Sequence, residues 1–179
     1  MDKSRTLCVM GTFDSQANQK VSRIKDRLKN QGISIDTYEP HVTFGIYTGL
    51  KEESLLQWIR KIASQYNSIH ICFNHFGFFP DARLCFLAPG SSYSLMDIHS
   101  TIHEKFDNNC VDNGCLYALK QSNWVPHMTI ASIEQGQEKI LLSTLFKNFI
   151  PFEAEITKLK MTSSDMSEDI GAFELIRSK

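Results

Sequence analysis

The sequence predicts an α+β fold built from two related lobes. Apolar runs with the two-residue alternation of β-strands are separated by segments whose apolar residues recur every three or four positions, as in amphipathic helices. The order strand, helix, strand, helix occurs once in each half of the chain, and each copy carries the same short motif. We therefore expect one domain over residues 1–179, with repeats at about 7–67 and 84–149 and with 150–179 completing the sheets.

Seven segments are predicted to be strands because apolar residues alternate or run continuously within them. Their ranges are 7–13, 42–47, 69–79, 84–88, 125–133, 152–161 and 172–176. Near Thr157 and Lys158 the alternation slips, which predicts a bulge or a bend. We expect two antiparallel-rich sheets that flank a central cleft, with helices on their outer faces.

Four helices are predicted from apolar stripes that fall on one helical face. Gly32 closes the first of them. The stripes are Ala17, Val21, Ile24 and Leu28; Leu55, Ile59, Ile62 and Tyr66; Leu95, Ile98, Ile102 and Phe106; and Leu141, Leu145 and Phe149. The polar segments 107–123 and 163–171 are predicted to be surface loops, and a turn signal lies at 112–114.

The composition argues against several classes of function. A net charge of −1 over 179 residues, with basic residues spread along the chain, gives no broad basic surface for a long nucleic acid duplex. No apolar stretch approaches the roughly 18 residues of a membrane span, and the amino terminus is not typical of a signal peptide. We expect a cytoplasmic monomer with no membrane partner, whose phosphate ligand is small or short.

The cysteines are odd in number, widely scattered and mostly within apolar segments. They are Cys8, Cys72, Cys85, Cys110 and Cys115. This pattern predicts buried, reduced thiols rather than a disulfide framework.

One motif occurs twice, as Pro40-His41-Val42-Thr43-Phe44 and as Pro126-His127-Met128-Thr129-Ile130. Two full copies at equivalent places are not expected by chance in a chain with 6 histidines. Side chains two positions apart on a strand share a face, so each histidine points to the same side as its threonine. The residues between and after them would face the core.

Small residues follow each motif. Gly45 and Ala131 stand two positions after the threonines, and continued alternation would place them on the face of the histidines. We expect them to leave an open floor for a ligand.

Facing imidazoles suit the cleavage of a phosphodiester. A neutral histidine can accept a proton from the attacking oxygen while a protonated one donates a proton to the leaving oxygen. The hydroxyls of Thr43 and Thr129 could hold the nonbridging phosphate oxygens and stabilise charge in the transition state. This chemistry requires no cofactor and no metal.

The paired motifs at His41 and His127 resemble those of the 2H phosphoesterase superfamily, which includes the 2′-5′ RNA ligase-like proteins. Members carry two His-x-Thr/Ser-x motifs on strands of two pseudo-symmetric lobes, and the resemblance spans nearly the whole chain. It implies that His41 and His127 are the catalytic pair and that Thr43 and Thr129 bind phosphate in a cleft between the lobes. The implied reactions are hydrolysis of 2′,3′-cyclic phosphates, cleavage of 2′,5′-linked oligonucleotides and reversible 2′-5′ joining of RNA ends.

Ser132 departs from the pattern of the bacterial ligase-like branch, in which an arginine commonly stands three positions after the second threonine. The resemblance therefore implies phosphodiesterase chemistry more than RNA ligation. The expected substrate is a short ribonucleotide or a cyclic nucleotide.

Two other functions are compatible with the sequence. A non-catalytic module could hold a nucleotide phosphate in the same cleft. A zinc-stabilised interaction protein is the weaker alternative, because His99 and His103 are one helical turn apart and Cys110 and Cys115 follow them. That spacing is not typical of a zinc finger, and His99 lies within an apolar stripe, so we expect a core or capping role.

Two aromatic residues occupy matching positions, three before each motif histidine. Trp124 precedes His127, and Tyr38 precedes His41. Each could stack on a nucleobase at the rim of the cleft, as aromatic side chains do with unpaired bases. Packing between the lobes is the alternative role.

Overall fold

The computed structural model describes residues 5–111, 117–121 and 123–177. The predicted turn at 112–114 and Cys115 lie outside these residues. The helices are α1 Ser15–Lys29, α2 Glu52–Ala63, α3 Tyr93–His103 and α4 Glu138–Asn148, with short 3₁₀ turns at Asp107–Asn109 and Leu119–Gln121. The strands are β1 Leu7–Phe13, β2 Ser34–Ile35, β3 His41–Tyr47, β4 Ile69–Phe79, β5 Leu84–Pro89, β6 Met128–Ser132, β7 Phe152–Ser163 and β8 Asp169–Glu174.

The strands of the described chain form one antiparallel sheet in the order β2-β6-β5-β4-β7-β1-β3, and β8 pairs with β7 beside this path. The long strand β4 belongs to both halves of the sheet. Its residues 69–73 pair with β7, and its residues 73–79 pair with β5. The predicted α+β class is therefore confirmed, and β4 makes the two expected sheets continuous.

The sheet is curved enough to bring strands from its two ends together. β3 is the last strand at one end and β6 is the second from the other, yet residues of the two strands approach within 8 Å between Cα atoms. The two motif strands are thus neighbours in space without pairing with each other.

The predicted core faces are confirmed on both motif strands. Val42 and Phe44 are fully buried, and so are Met128 and Ile130. The helical stripes also pack into the core, with Tyr66 and Phe106 lying just beyond the ends of α2 and α3 and half buried against it.

The strand boundaries show where tertiary contacts prevail over local pattern. β1 and β4 have the predicted bounds, and the predicted bulge is confirmed because Thr157 is skipped where Thr12 pairs with Lys158 and Phe13 with Ile156. The prediction of a strand at 172–176 was wrong in its bounds, because β8 covers Asp169–Glu174. β2 was not predicted. It forms only through pairing with β6.

Candidate functional site

The first motif begins the edge strand β3. His41 is the first residue of this strand and lies opposite Thr12 of β1. Its Nδ1 atom is 2.7 Å from the carbonyl oxygen of Glu39. A carbonyl only accepts, so Nδ1 carries the hydrogen and Nε2 of the neutral ring has a free lone pair.

The second motif repeats this arrangement. The Nδ1 atom of His127 is 2.8 Å from the carbonyl oxygen of Val125, again two residues earlier. The ring meets Phe79 edge-on at 4.8 Å between centroids and lies 5.4 Å from Phe86. Only 7% of His127 is exposed. Its Nε2 atom is therefore held as an acceptor, as in the first motif.

Both imidazoles are shifted towards the neutral form. Burial lowers the pKa of His41, although the bond to the Glu39 carbonyl opposes the shift. Burial also lowers the pKa of His127, and a positive charge on His41 lowers it further. Both rings therefore lose their protons at a lower pH than an exposed histidine would.

Each motif strand contains a β-bulge directly after its threonine. Val9 pairs with Gly45 and Met10 with Thr43, so Phe44 is skipped. In the second motif, Cys85 pairs with Ala131 and Phe86 with Thr129, so Ile130 is skipped. The two halves thus share a backbone irregularity as well as a motif, and the bulge ends the alternation after the threonine.

The threonines differ in their surroundings. Thr43 is buried, at 6% exposure, and its side chain lies beside the thiol of Cys8 of β1. Burial raises the pKa of Cys8 to about 12, so this thiol stays protonated. Thr129 is half buried. The contact with Cys8 could not be predicted from local sequence, because it joins two strands through their register.

The expected open floor at Gly45 and Ala131 was wrong. Ala131 is fully buried in the core. A Cβ atom on Gly45 would lie 2.8 Å from the ring of Tyr47. The bulges explain the error, because they shift the alternation on which the expectation was based.

Trp124 lies between the motif strands rather than on a free surface. Its indole ring stacks on His99 with centroids 3.8 Å apart, and its Nε1–H donates to the carbonyl oxygen of Thr43 at 3.3 Å. Tyr38 is 47% exposed, and its hydroxyl donates to the carbonyl oxygen of Asp165. The structure thus gives Trp124 packing partners in both halves and leaves much of Tyr38 accessible.

The predicted core role of His99 and His103 agrees with the structure. Both are buried, and their Nε2 atoms are 2.8 Å from the carbonyl oxygens of Tyr117 and Phe44 respectively. Across the part of the chain that the structure describes, no group of three or more His, Cys, Asp or Glu residues could hold a metal. Cys115, the fourth residue of the suggested zinc set, lies outside that part.

Phe79 and Phe86 are site residues that the motif alone did not reveal. Phe86 lies opposite Thr129 in the sheet and 4.5 Å from Phe79 between ring centroids. Together they enclose one side of His127. Their position on neighbouring strands depends on the β4–β5 register, which the local sequence does not specify.

Residues 12–168 match the model of the 2′-5′ RNA ligase superfamily, so the chain belongs to this family of 2H phosphoesterases. No curated protein is significantly similar in sequence.

Solved structures show the same fold. The similarity to E. coli LigT in its apo form has a TM-score of 0.65 at 8% identity, covering 98% of this chain and 99% of LigT. TT0787 of Thermus thermophilus gives a TM-score of 0.65 at 14% identity, covering 97% and 100% of the two chains. Usb1 of Kluyveromyces marxianus gives a TM-score of 0.55 at 14% identity, covering 97% of this chain and 99% of Usb1.

Proposed function

We propose that this protein is a metal-independent phosphodiesterase that acts on ribose-linked phosphodiesters by two-histidine acid/base catalysis. The substrate would be a 2′,3′-cyclic phosphate or a short 2′,5′-linked oligonucleotide. The observation that carries the proposal is the repeated geometry of His41 and His127. Each ring donates Nδ1–H to a carbonyl two residues earlier, and the two motif strands approach within 8 Å between Cα atoms.

The charges around the two rings suggest which histidine has which role. Repulsion between two charged rings is reciprocal, so the site holds one proton more readily than two. Asp36 and Glu39 raise the pKa of His41, against the opposing effect of Lys25, and therefore favour that proton on His41, with His127 neutral. For hydrolysis of a cyclic phosphate, Nε2 of His127 would take a proton from water as its oxygen attacks phosphorus. Nε2 of His41 would donate its proton to the ribose oxygen as the P–O bond breaks.

Thr43 and Thr129 would hold the nonbridging oxygens during this step. Each lies two residues after its histidine, and the bulge follows at once. A hydroxyl donor placed there would stabilise the charge that builds on phosphorus-bound oxygen. Because the two imidazoles supply both proton transfers, the mechanism needs no metal ion.

A small nucleotide is the substrate class best supported. Structures of E. coli LigT are described in complex with 3′-AMP, with phosphate, with ATP and with NADP+. In this chain Ser132 is exposed and pairs within the sheet, with no arginine at that place to contact RNA ends. We therefore propose hydrolysis as the main activity and RNA ligation as the less favoured one.

We further propose a cytoplasmic monomer, a single domain in which both lobes contribute to the cleft. The cysteines Cys8, Cys72 and Cys85 are free thiols, as is usual in a reducing compartment. Within the described residues, no helix has the length and apolar character needed to cross a membrane.

A second candidate is a module that binds a nucleotide phosphate without turning it over. The lowered pKa values of both histidines favour this alternative, because an empty site with two neutral rings has no proton donor. Binding of an anionic phosphate would have to restore a proton to one ring before catalysis.

A substrate panel tests the proposal. The purified protein is incubated with 2′,3′-cyclic, 3′,5′-cyclic, 2′,5′-linked and 3′,5′-linked substrates, with and without EDTA, and products are identified by mass and by which hydroxyl keeps the phosphate. We expect turnover of the first or third substrate, unchanged by EDTA. His41→Ala and His127→Ala should each lose about 100-fold or more in turnover.

The matched control is His70→Ala, because the His70 side chain is 66% exposed and lies on β4, outside the motif strands. It should turn over substrate like the parent. Binding without turnover across the panel would favour the binding module. Activity that vanishes with EDTA and returns with a divalent ion would refute the two-histidine mechanism.

A further inference from the structure

Two adjacent backbone carbonyls of β3 accept bonds from side chains. At the bulge of the first motif, the carbonyl oxygen of Thr43 accepts from Trp124 Nε1–H at 3.3 Å, and that of Phe44 is 2.8 Å from Nε2 of His103. Because Thr43 and Phe44 are adjacent, the two donors together fix the backbone beside the threonine. A bulge held this way cannot slip along β1 without losing both bonds.

Trp124 is itself held in one orientation. The planes of its indole and of the His99 ring are 3° apart, and His99 is only 2% exposed. The Nε2 atom of His99 is fixed by the carbonyl of Tyr117. The rings of His99 and His103, one turn apart on α3, are 4.5 Å apart between centroids. Helix α3 therefore supports both donors.

Trp124 also connects directly to the second motif. The next residue is Val125, whose carbonyl accepts the Nδ1–H bond of His127. A single peptide unit thus separates the residue that anchors His127 from the residue that bonds to Thr43. The Trp124 side chain therefore joins the two halves of the proposed site.

We propose that Trp124 and His103 are positioning residues that set the separation of the two motif strands and hence of His41 and His127. The inference rests on the proposed function, because a phosphodiester must be bridged by both imidazoles. A displacement of about 1 Å in such a site can reduce turnover by about 100-fold. Trp124 thereby has a role in the site without contacting the substrate.

The test uses Trp124→Phe, which keeps an aromatic ring on His99 but removes the Nε1–H donor. The matched control is Trp58→Phe, because Nε1 of Trp58 makes the same kind of bond, at 3.0 Å, to the carbonyl of Ile102. That bond touches neither motif strand. We expect kcat of Trp124→Phe to fall about 10- to 100-fold with KM within about threefold, while Trp58→Phe matches the parent.

His103 provides a second pair of variants. His103→Gln retains a side-chain N–H that can reach the Phe44 carbonyl, whereas His103→Leu has no donor. The glutamine variant should recover most of the activity that the leucine variant loses. Equal losses in the two, or losses that follow a lower thermal midpoint, would overturn the proposal in favour of a purely structural role.

An NMR titration separates this inference from the proposed function. Ring ¹⁵N shifts of His41 and His127 are followed against pH in the parent, in Trp124→Phe and in Trp58→Phe. If Trp124 sets the separation, the influence of His41 on His127 weakens and the pKa of His127 rises only in Trp124→Phe. Unchanged coupling would refute positioning. A parent that shows this coupling but turns over no substrate would refute the proposed function alone.

Discussion

His41 and His127 are oriented by the same bond, a donation from Nδ1 to the carbonyl oxygen two residues earlier, at 2.7 Å and 2.8 Å respectively. The bond fixes the tautomer without any partner from a third element. It also explains why proline is compatible with the position between donor and acceptor, since the intervening residue need not donate its own amide. The two histidines are therefore held in the same way, and a difference in their pKa values comes from the groups that surround each ring.

The first prediction concerns pH. Burial lowers the pKa values of both His41 and His127 below that of an exposed histidine, about 6.5. The profile of kcat/KM reports the free enzyme, so its bell should have its maximum below about pH 6.5. The maximum of kcat should lie at higher pH than that of kcat/KM, because a bound phosphate anion raises the pKa values of both histidines. A kcat/KM that still climbs above about pH 7.5 would contradict this assignment.

The second prediction concerns the threonines. Thr43→Val and Thr129→Val keep nearly the same shape but remove a hydroxyl, so turnover should fall roughly 10- to 1000-fold with the fold retained. Thr101→Val is the control, because its hydroxyl contacts Tyr66 outside the motif strands. Circular dichroism and steady-state rates would be measured for all three. If the motif variants kept the parental rate, both threonines would be structural.

Local sequence pattern was sufficient to bound strands that are buried throughout, such as β1, or that alternate at their start, such as β4. Both strands have the predicted bounds, and the duplicated motif predicted four residues of the candidate site, which stay a prediction. It was insufficient where a distant segment decides the structure. β2 exists because β6 lies beside it, and the hydrogen bond between His103 and Phe44 joins residues 59 positions apart. Such pairings depend on register and curvature, which no short window of sequence contains.

The third prediction concerns the start of α1. Asp14 caps this helix, with Oδ1 accepting from the backbone N–H groups of Gln16 and Ala17 and Oδ2 accepting from that of Glu155 in β7. Asp14→Ala should therefore reduce the free energy of unfolding by about 2 kcal/mol. Ser92 caps α3 with a single bond, which its hydroxyl oxygen accepts from the backbone N–H of Leu95. Ser92→Ala should therefore reduce the free energy of unfolding by about 1 kcal/mol. Urea unfolding at neutral pH measures both, and equal costs would contradict the extra role of Asp14 in joining helix and sheet.

The last prediction concerns acid stability and the buried histidine behind Trp124. Burial, followed by the positive charge of His103, lowers the pKa of His99 to about 4. In the unfolded chain this pKa returns to about 6.5, so between the two values the unfolded state binds more protons. The contribution of His99 is fully present above about pH 6.5 and is lost as the pH falls towards about 4. The difference between the folded and unfolded pKa values of His99 corresponds to about 3 kcal/mol of free energy of unfolding.

His99→Phe removes this titration while retaining a ring to stack on Trp124. At neutral pH the variant should be less stable than the parent, because the bond to the Tyr117 carbonyl is lost. Between about pH 6.5 and about 4, however, the parent should lose more stability than the variant, by up to about 3 kcal/mol. Urea unfolding of both proteins at several pH values isolates this difference, because the carboxylates they share cancel. Parallel loss of stability in parent and variant would show that His99 does not remain neutral in the folded protein, and that the stacked pair with Trp124 tolerates a charge.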